Sequence, residues 1–546
     1  MKEDKKAPGT QGQREAFNRE SKTIRITQGE KAYLEQQVVR AQKQISQASQ
    51  RDDTQAVHSL QQRLMESEAA RLLAVRRVTE ENQGKDTAGV DGVKSLTSSE
   101  RLAMTSAIHP KYWNHQPPRP VRRVWVPKPG TAERRPLAIL TMMDRCKQAL
   151  VKLALEPEWE VRFEAHSYGY RPGRSAHDAI AAILVAIERQ PCFVFDADIE
   201  GAFDNLTQTV VLDKLQTFPV LRHAINAWLR AGVVDGNTYF SSEKGIAQGG
   251  VLSPLLMNVA LHGMESVVGG EEILRFAQND KRGQNDKRGQ NGKGGQGDRG
   301  GQGDRGGQGD RGGRNGKSGQ SDRGGHVRQQ AVVGQREILR FAQNDKRGQN
   351  DKRGQPVLVR YADDFVILHT DLNELQRAIK RVRQWLAMMG LHLHAQKTRI
   401  THTLTPYQGR VGFDFLGFNI RQEHSLRVKT IVTPSQEANK RHLAAIEQRL
   451  RQLQTASQVQ VITELNPLIL GWGNYYAGIV EASTMSRYDD LMEQRLITWA
   501  SRRHPGKAHE WLLTRYWRRI GQHGRVFATE DGLLLRGYQQ RRILRG

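Results

Sequence analysis

Val357-Leu358-Val359-Arg360-Tyr361-Ala362-Asp363-Asp364-Phe365-Val366-Ile367-Leu368 decides how this chain is read. Two short apolar runs, of the length and composition of buried strands, flank a tight turn that carries adjacent carboxylates. Hard divalent cations such as Mg²⁺ prefer oxygen ligands in fixed geometry, and carboxylates on such a hairpin tip can share metal ions with a substrate triphosphate. Taken alone, an Asp-Asp turn is also an ordinary surface turn. A third carboxylate is needed to distinguish the two.

Asp198 supplies it. Phe193-Val194-Phe195-Asp196-Ala197-Asp198-Ile199-Glu200-Gly201-Ala202-Phe203-Asp204 starts as an apolar strand and ends in an acidic cluster. Bringing Asp198 beside Asp363 and Asp364 would build a two-metal phosphoryl-transfer site, one ion activating a primer hydroxyl and the other binding the leaving phosphates. Glu200 and Asp196 read as a solvated strand end. Between these elements, Lys244-Gly245-Ile246-Ala247-Gln248-Gly249-Gly250-Val251-Leu252-Ser253-Pro254 leads into an apolar helix, with Ser253 expected as N-cap and Pro254 at the first helical position. Gly249 and Gly250 leave that loop without side-chain bulk, so that backbone can approach a base pair.

In this order the segments resemble group II intron-encoded reverse transcriptase/maturases, over about residues 34–517 outside one insert. Arg122-Arg123-Val124-Trp125-Val126-Pro127-Lys128-Pro129 with Arg135-Pro136-Leu137 is similar to the family's fingers, and Ser167-Tyr168-Gly169-Tyr170-Arg171-Pro172-Gly173-Arg174-Ser175 to its next block. Phe413-Asp414-Phe415-Leu416-Gly417-Phe418 resembles the primer grip. Leu465-Asn466-Pro467 through Gly471-Trp472-Gly473-Asn474-Tyr475-Tyr476 resembles the maturase, or X, segment that serves as thumb. The chain departs from the usual pattern at Ala138, Leu140, Ile246, Ala247 and Leu470, and keeps all three carboxylates.

The resemblance implies an α+β right-hand polymerase with an antiparallel palm sheet and an α-helical thumb. It implies an RNA-directed DNA polymerase with two Mg²⁺ ions on Asp198, Asp363 and Asp364. Lys128 and Arg135 would contact the triphosphate, Gln248 the templating pair, and Phe203 would exclude a ribose 2′-hydroxyl. Expected partners are intron RNA, an RNA template, a DNA primer or target and dNTPs, with assistance to splicing and mobility. The alternatives are a maturase that only aids splicing and a decayed or repurposed reverse transcriptase, for example in defence. No cysteine follows Cys192, so no Cys/His-rich endonuclease is expected.

Composition agrees with a nucleic-acid partner: 83 Lys and Arg against 58 Asp and Glu give a net charge of +25, which favours polyanions and makes affinity salt-dependent. Two cysteines, Cys146 and Cys192, fit no zinc site, and a reducing compartment is the natural home. With no apolar run of membrane length, an intracellular, cytoplasmic ribonucleoprotein component is expected.

The expected organisation is a polar tail (1–27), a helical extension (28–95), fingers and palm (96–425), a helical thumb/maturase region (426–500) and a basic segment (501–546). Helical spacing marks two stretches over 28–69 and one over 437–463. Trp499, Arg502, Arg503, Trp511, Arg515, Tyr516, Trp517, Arg518 and Arg519 interleave rings with cations, which suits either RNA stacking or a buried core. Residues 271–355 form a low-complexity insert in which 272–290 recur identically at 337–355. Such polar, Gly-rich repetition reads as a disordered passenger derived from repeated DNA.

Overall fold

A computed structural model describes residues 28–127, 134–270, 354–425, 427–520 and 524–538. Lys128, the 1–27 tail and nearly all of the insert lie outside the described residues. The fold is mixed α+β, with a helical C-terminal region.

Residues 28–69 form two helices and the start of a third: Gln28–Gln50, Thr54–Glu66 and Glu68–Arg76. Asp53 accepts a hydrogen bond from the Ala56 N–H, and Ser67 accepts one from the Ala70 N–H, so the second and third helices each start on their own cap. These helices pack on the long helix Met142–Arg162, which contains Pro157. A proline inside a helix leaves the carbonyl four residues earlier without its usual donor. Here that carbonyl is Leu153 O, and the Gln42 side-chain amide donates to it at 2.8 Å.

Two four-stranded sheets follow. The first is built from β1 (Val121–Pro127) and β2 (Arg134–Ile139). The second begins with β3 (Phe193–Asp198), after which β4 (Val233–Asp235) and β5 (Thr238–Phe240) complete the first in the order β2-β1-β4-β5. The second gains β6 (Val357–Tyr361), β7 (Asp364–His369) and β8 (Arg399–His402), in the order β6-β7-β3-β8, with every pairing antiparallel.

Side chains alternate across this second sheet. Phe195, Leu358, Phe365 and Ile367 enter a core shared with the N-terminal helices. Val194, Val359, Val366 and Leu368 enter a second core shared with the C-terminal helices. Both faces are covered, which is why these strands read as unbroken apolar runs rather than as alternation.

β9 (Phe413–Phe415), β10 (Phe418–Glu423) and β11 (Lys429–Pro434) form a three-stranded sheet. Beyond it the helical region contains Gln436–Gln452, Gln458–Tyr476, Ala482–Arg503 and His509–Tyr516. The single helix expected over 437–463 is in fact two, because Ser457 caps a new start by accepting from the Gln460 N–H. The two-residue turn Leu416-Gly417 between β9 and β10 holds both residues at positive φ, 49° and 79°. For Leu this left-handed conformation is strained. The hydroxyls of Tyr475 and Tyr476 donate to Leu416 O and Gly417 O at 2.8 and 2.9 Å, tying the turn to the helical region.

At the margins of the insert, a Cβ built on Gly269 would lie 3.5 Å from the Gln355 side chain. The two margins therefore meet.

Candidate active site

The register of the second sheet places Asp198 opposite Asp364, and Tyr361 opposite Asp364 on the other side. Asp363 occupies the tip with Ala362, which is buried and adopts φ 59°. Alternation puts Asp196, Asp198 and Asp364 on one face of the sheet, so three carboxylates line its end while Asp363 caps it. Lys397 Nζ lies 2.7 Å from Asp198 Oδ2, and Arg399 pairs with Asp196 at 3.0 Å. Asp196 is thus a half-buried ion-pair partner rather than the solvated strand end expected.

Crowding is recorded in the protonation equilibria. Desolvation of the Asp364 carboxyl within the site, then the charges of Asp363, Asp198 and Asp196, push it up to about 7, although the residue as a whole is exposed at the strand end. Burial, reinforced by Asp198, also raises Asp363. Burial raises Asp196 to about 6 against the opposing pull of Arg399. Groups held this way favour a cation.

The hairpin is held from behind by residues that the sequence reading passed over. Arg360 has 0 % of its surface exposed. Its guanidinium donates to Ser167 Oγ at 2.7 Å, Asn258 Oδ1 at 3.0 Å and Ala362 O at 3.1 Å, with Glu164 Oε2 3.7 Å away. The Glu164 carboxylate in turn accepts from the N–H groups of Gly263 and Glu265. Gly169 presses directly on the tip, since a Cβ there would come within 2.4 Å of Ala362 N. An arginine inside an apolar strand, next to paired carboxylates, was the available signal.

A cleft of about 900 Å³ has walls that include Arg123, Leu137, Phe203, Lys244 and Gln248. The structure therefore brings Phe203 and Gln248 to one cavity. Gln248 is fixed through its carbonyl, which accepts from Ala138 N–H at 2.7 Å. Arg135 is exposed on β2, opposite Val126.

Among the described residues no three His, Cys, Asp or Glu side chains converge into a ready-made metal cage. This donor set still fits a Mg²⁺ site, because Mg²⁺ is usually held by one or two carboxylates together with water and substrate phosphates. Such an ion would offset the repulsion that Asp198 exerts on Asp363 and that Asp363, Asp198 and Asp196 exert on Asp364.

One expectation is corrected. Ser253 does not cap its helix. The helix begins at Ser253 itself, whose hydroxyl donates to Ala247 O at 2.7 Å and closes the preceding loop. Gly249 and Gly250 are required by the protein's own packing: a Cβ would meet Leu137 and Ala138 at 2.8 and 2.9 Å in the first case, and Ser253 Oγ at 2.4 Å in the second. In the basic-aromatic segment Trp499, Tyr516 and Trp517 are core residues, and Arg503 donates to Gln454 O and Ala456 O, bracing the turn between two helices. Arg502, Arg515 and Arg519 remain exposed.

Three family profiles match in order: "N-terminal domain of reverse transcriptase" over residues 30–108, "Reverse transcriptase (RNA-dependent DNA polymerase)" over 126–277 and 338–420, and "Group II intron, maturase-specific domain" over 439–517. The middle match is interrupted within the repeat insert. Among curated relatives, "Protein YkfC" of Escherichia coli is 33% identical over 200 residues, 35% of this chain and 52% of that protein. "Group II intron-encoded protein LtrA" of Lactococcus lactis subsp. cremoris is 33% identical over 194 residues, 34% of this chain and 31% of that one. "Maturase-like protein 1" of Euglena gracilis is 28% identical over 234 residues, covering 42% and 49% respectively. The chain thus spans about half or less of the length of these relatives. Among the described residues no helix is long and apolar enough to cross a membrane.

Proposed function

Because the chain belongs to the family of group II intron-encoded reverse transcriptase/maturases, we propose that it is an RNA-directed DNA polymerase that also binds its intron RNA to assist splicing and mobility. The observation that carries the polymerase reading is the pairing of Asp198 with Asp364 at the sheet end, with Asp363 at the adjoining tip. In this reading the β6-β7-β3-β8 sheet is the palm of a right hand, the sheet containing β1 and β2 is the fingers, and the helices from Gln436 onward are the thumb and X region.

Two Mg²⁺ ions bound at Asp198, Asp363 and Asp364 would supply charge neutralisation and a more acidic primer hydroxyl. The chain's own groups do the positioning. The carboxylates orient the primer end toward the cleft, and Arg135, with Lys128, holds the triphosphate by charge. Phe203 closes the cleft where a 2′-hydroxyl would project, and Gln248 borders the nascent pair. The net charge of +25 and the exposed Arg502, Arg515 and Arg519 supply attraction for RNA phosphates. A ribonucleoprotein inside the cell is the setting in which both activities operate.

Purified protein should extend a DNA primer on an RNA template with Mg²⁺ and dNTPs. Asp363→Ala and Asp198→Ala should each lower the rate roughly a thousandfold, the magnitude of losing about 4 kcal/mol of transition-state stabilisation. More than about a tenth of wild-type activity in either variant overturns the assignment. Asp363→Ala should bind and help splice its intron normally, which separates polymerisation from RNA binding.

A further inference from the structure

A second cavity, of about 440 Å³, lies against the β6-β7-β3-β8 sheet. Its floor is Phe195, Ile379 and Ile400, which belong to or pack on the core shared with the N-terminal helices. Asp198 and Asp364 stand on the opposite face of the same sheet, so this cavity takes no part in the chemistry proposed above. One wall is the helix Leu372–Met388, which contributes Gln376, Lys380, Arg383 and Gln384. At i, i+4, i+7 and i+8 these four share one side of the helix. The remaining lining comes from the edge strand β8 with Thr398, and from Gln408. Gln408 sits in a tight turn, at φ 50°, in which Tyr407 and Arg410 exchange backbone hydrogen bonds at 2.9 and 3.2 Å.

The charges around this cavity do not balance. Lys380 and Arg383 are exposed and carry no ion pair among the described residues. The only acid of their helix, Glu374, is taken by Arg377 at 2.8 Å. Arg399 is offset by Asp196 at 3.0 Å, and no carboxylate lines the cavity. Two like charges about one helical turn apart repel each other, and an anion between them relieves the repulsion. The side-chain amides of Gln376, Gln384 and Gln408 make no hydrogen bond among the described residues, and each offers both a donor and an acceptor.

We infer that this cavity is an RNA-binding site separate from the polymerase centre, taking one nucleotide turned out of a single-stranded stretch of intron RNA. The phosphate would sit on Lys380 and Arg383, and the base over the apolar floor with the glutamines at its edge. The inference deepens the RNA-binding half of the proposed function and rests on it. A cavity of this volume is of small-ligand size. Folded RNA is recognised chiefly at loops and bulges, where unstacked bases can be splayed out and hydrogen-bonded at their edges. Cations, amides and an apolar floor together match the phosphate, the base edge and the base face of such a nucleotide. Because the cavity and the carboxylates use opposite faces of one sheet, RNA can stay bound there while a primer is extended.

The probe is a mixed-sequence single-stranded RNA of about 12 nucleotides, titrated across salt concentrations with the polymerase centre occupied by excess primer–template duplex. Single-stranded DNA of the same sequence is run beside it. Lys380→Gln with Arg383→Gln should weaken RNA binding about tenfold and lower the salt slope by about 1.4, the value for two phosphate contacts on a single strand. Gln376→Ala with Gln384→Ala should weaken binding about threefold and leave the slope unchanged, because no charge is lost. Both double variants should extend a primer within about twofold of wild type. Wild type that binds no RNA removes the RNA-binding reading itself. If wild type binds and the charge variant stays within twofold of it, or keeps its slope, the inference is overturned. A glutamine variant equal to wild type leaves only diffuse attraction and overturns it too. So does DNA bound as tightly as RNA, or a loss of primer extension that parallels the loss of binding.

Discussion

Replacing Arg360 with Met should damage both the stability and the chemistry of this protein, by separable routes. Met approximates the aliphatic stem and removes the guanidinium, so Ser167 Oγ, Asn258 Oδ1 and Ala362 O lose a donor and Glu164 loses its neighbouring cation. Breaking a buried pair by removing one partner typically costs about 3–5 kcal/mol, a large share of an ordinary folding stability of about 5–15 kcal/mol. The second route is geometric: Ala362 O loses its tether while Ala362 remains in a conformation it does not prefer, and a displacement of the catalytic tip by about 1 Å can lower the rate about a hundredfold.

The pH dependence identifies the cause. Burial already raises the Glu164 carboxyl, and Arg360 is the main influence lowering it, so the variant raises it further. A carboxyl whose folded pKa lies above its unfolded value penalises the folded state at high pH, and the penalty is relieved as pH falls through the folded value. The deficit of Arg360→Met should therefore be larger at pH 8 than at pH 5.5, and Glu164→Gln in the same chain should recover part of it. The measurements are denaturation midpoints and single-turnover extension for the two single variants and the double. A deficit below about 1 kcal/mol, or one indifferent to both pH and Glu164→Gln, refutes the reasoning.

Phe203→Ala should admit ribonucleotides far more readily while leaving dNTP use largely intact, because the ring forms part of the cleft wall; competition between rNTP and dNTP in primer extension checks it, and an unchanged preference returns Phe203 to a packing role. His442 lies buried with its ring stacked on Trp472 and Nε2 2.6 Å from the Tyr538 hydroxyl, and burial, aided by Arg495, lowers its pKa to about 4. The unfolded chain binds that proton near pH 6.5, so stability is intact above that value and falls as pH drops toward 4, by about 2 kcal/mol between pH 7 and pH 5. His442→Gln should lose this part of the acid sensitivity in denaturant titrations, and an undiminished acid limb would remove His442 as its source.

Much of the site was legible because its signals are local. The hairpin declares itself in consecutive residues, and the strand ending at Asp198 does so in another dozen. Strand pairing itself stands in part on family resemblance, since nothing in either segment specifies that Asp198 faces Asp364 rather than a neighbour. What was missed depends on distant partners. Arg360 is satisfied by Glu164, Ser167 and Asn258, each about a hundred or more positions away, and its role is invisible until those segments meet. The role of Ser253 was misread, and the packing at Gly249 and Gly250 went unseen, for a related cause: local rules name a cap or an open loop, whereas β2 and the loop carbonyl at Ala247 claimed those positions. The rings between Trp499 and Trp517 were evenly poised between surface and core, and periodicity alone does not say which side of a helix meets another helix.

The pairing of β3 with β7 also has a consequence in time. A ribosome adding about 5–20 residues per second takes on the order of 10 to 30 seconds to travel from Asp198 to Asp364, and close to half of that interval is spent on the insert. Throughout it, β3 has been made and neither of its neighbours in the sheet, β7 and β8, exists. Phe193, Val194 and Phe195 must wait with unpaired edges, sheltered only by helices already synthesised. The insert lengthens the period in which a wrong partner can reach that strand first.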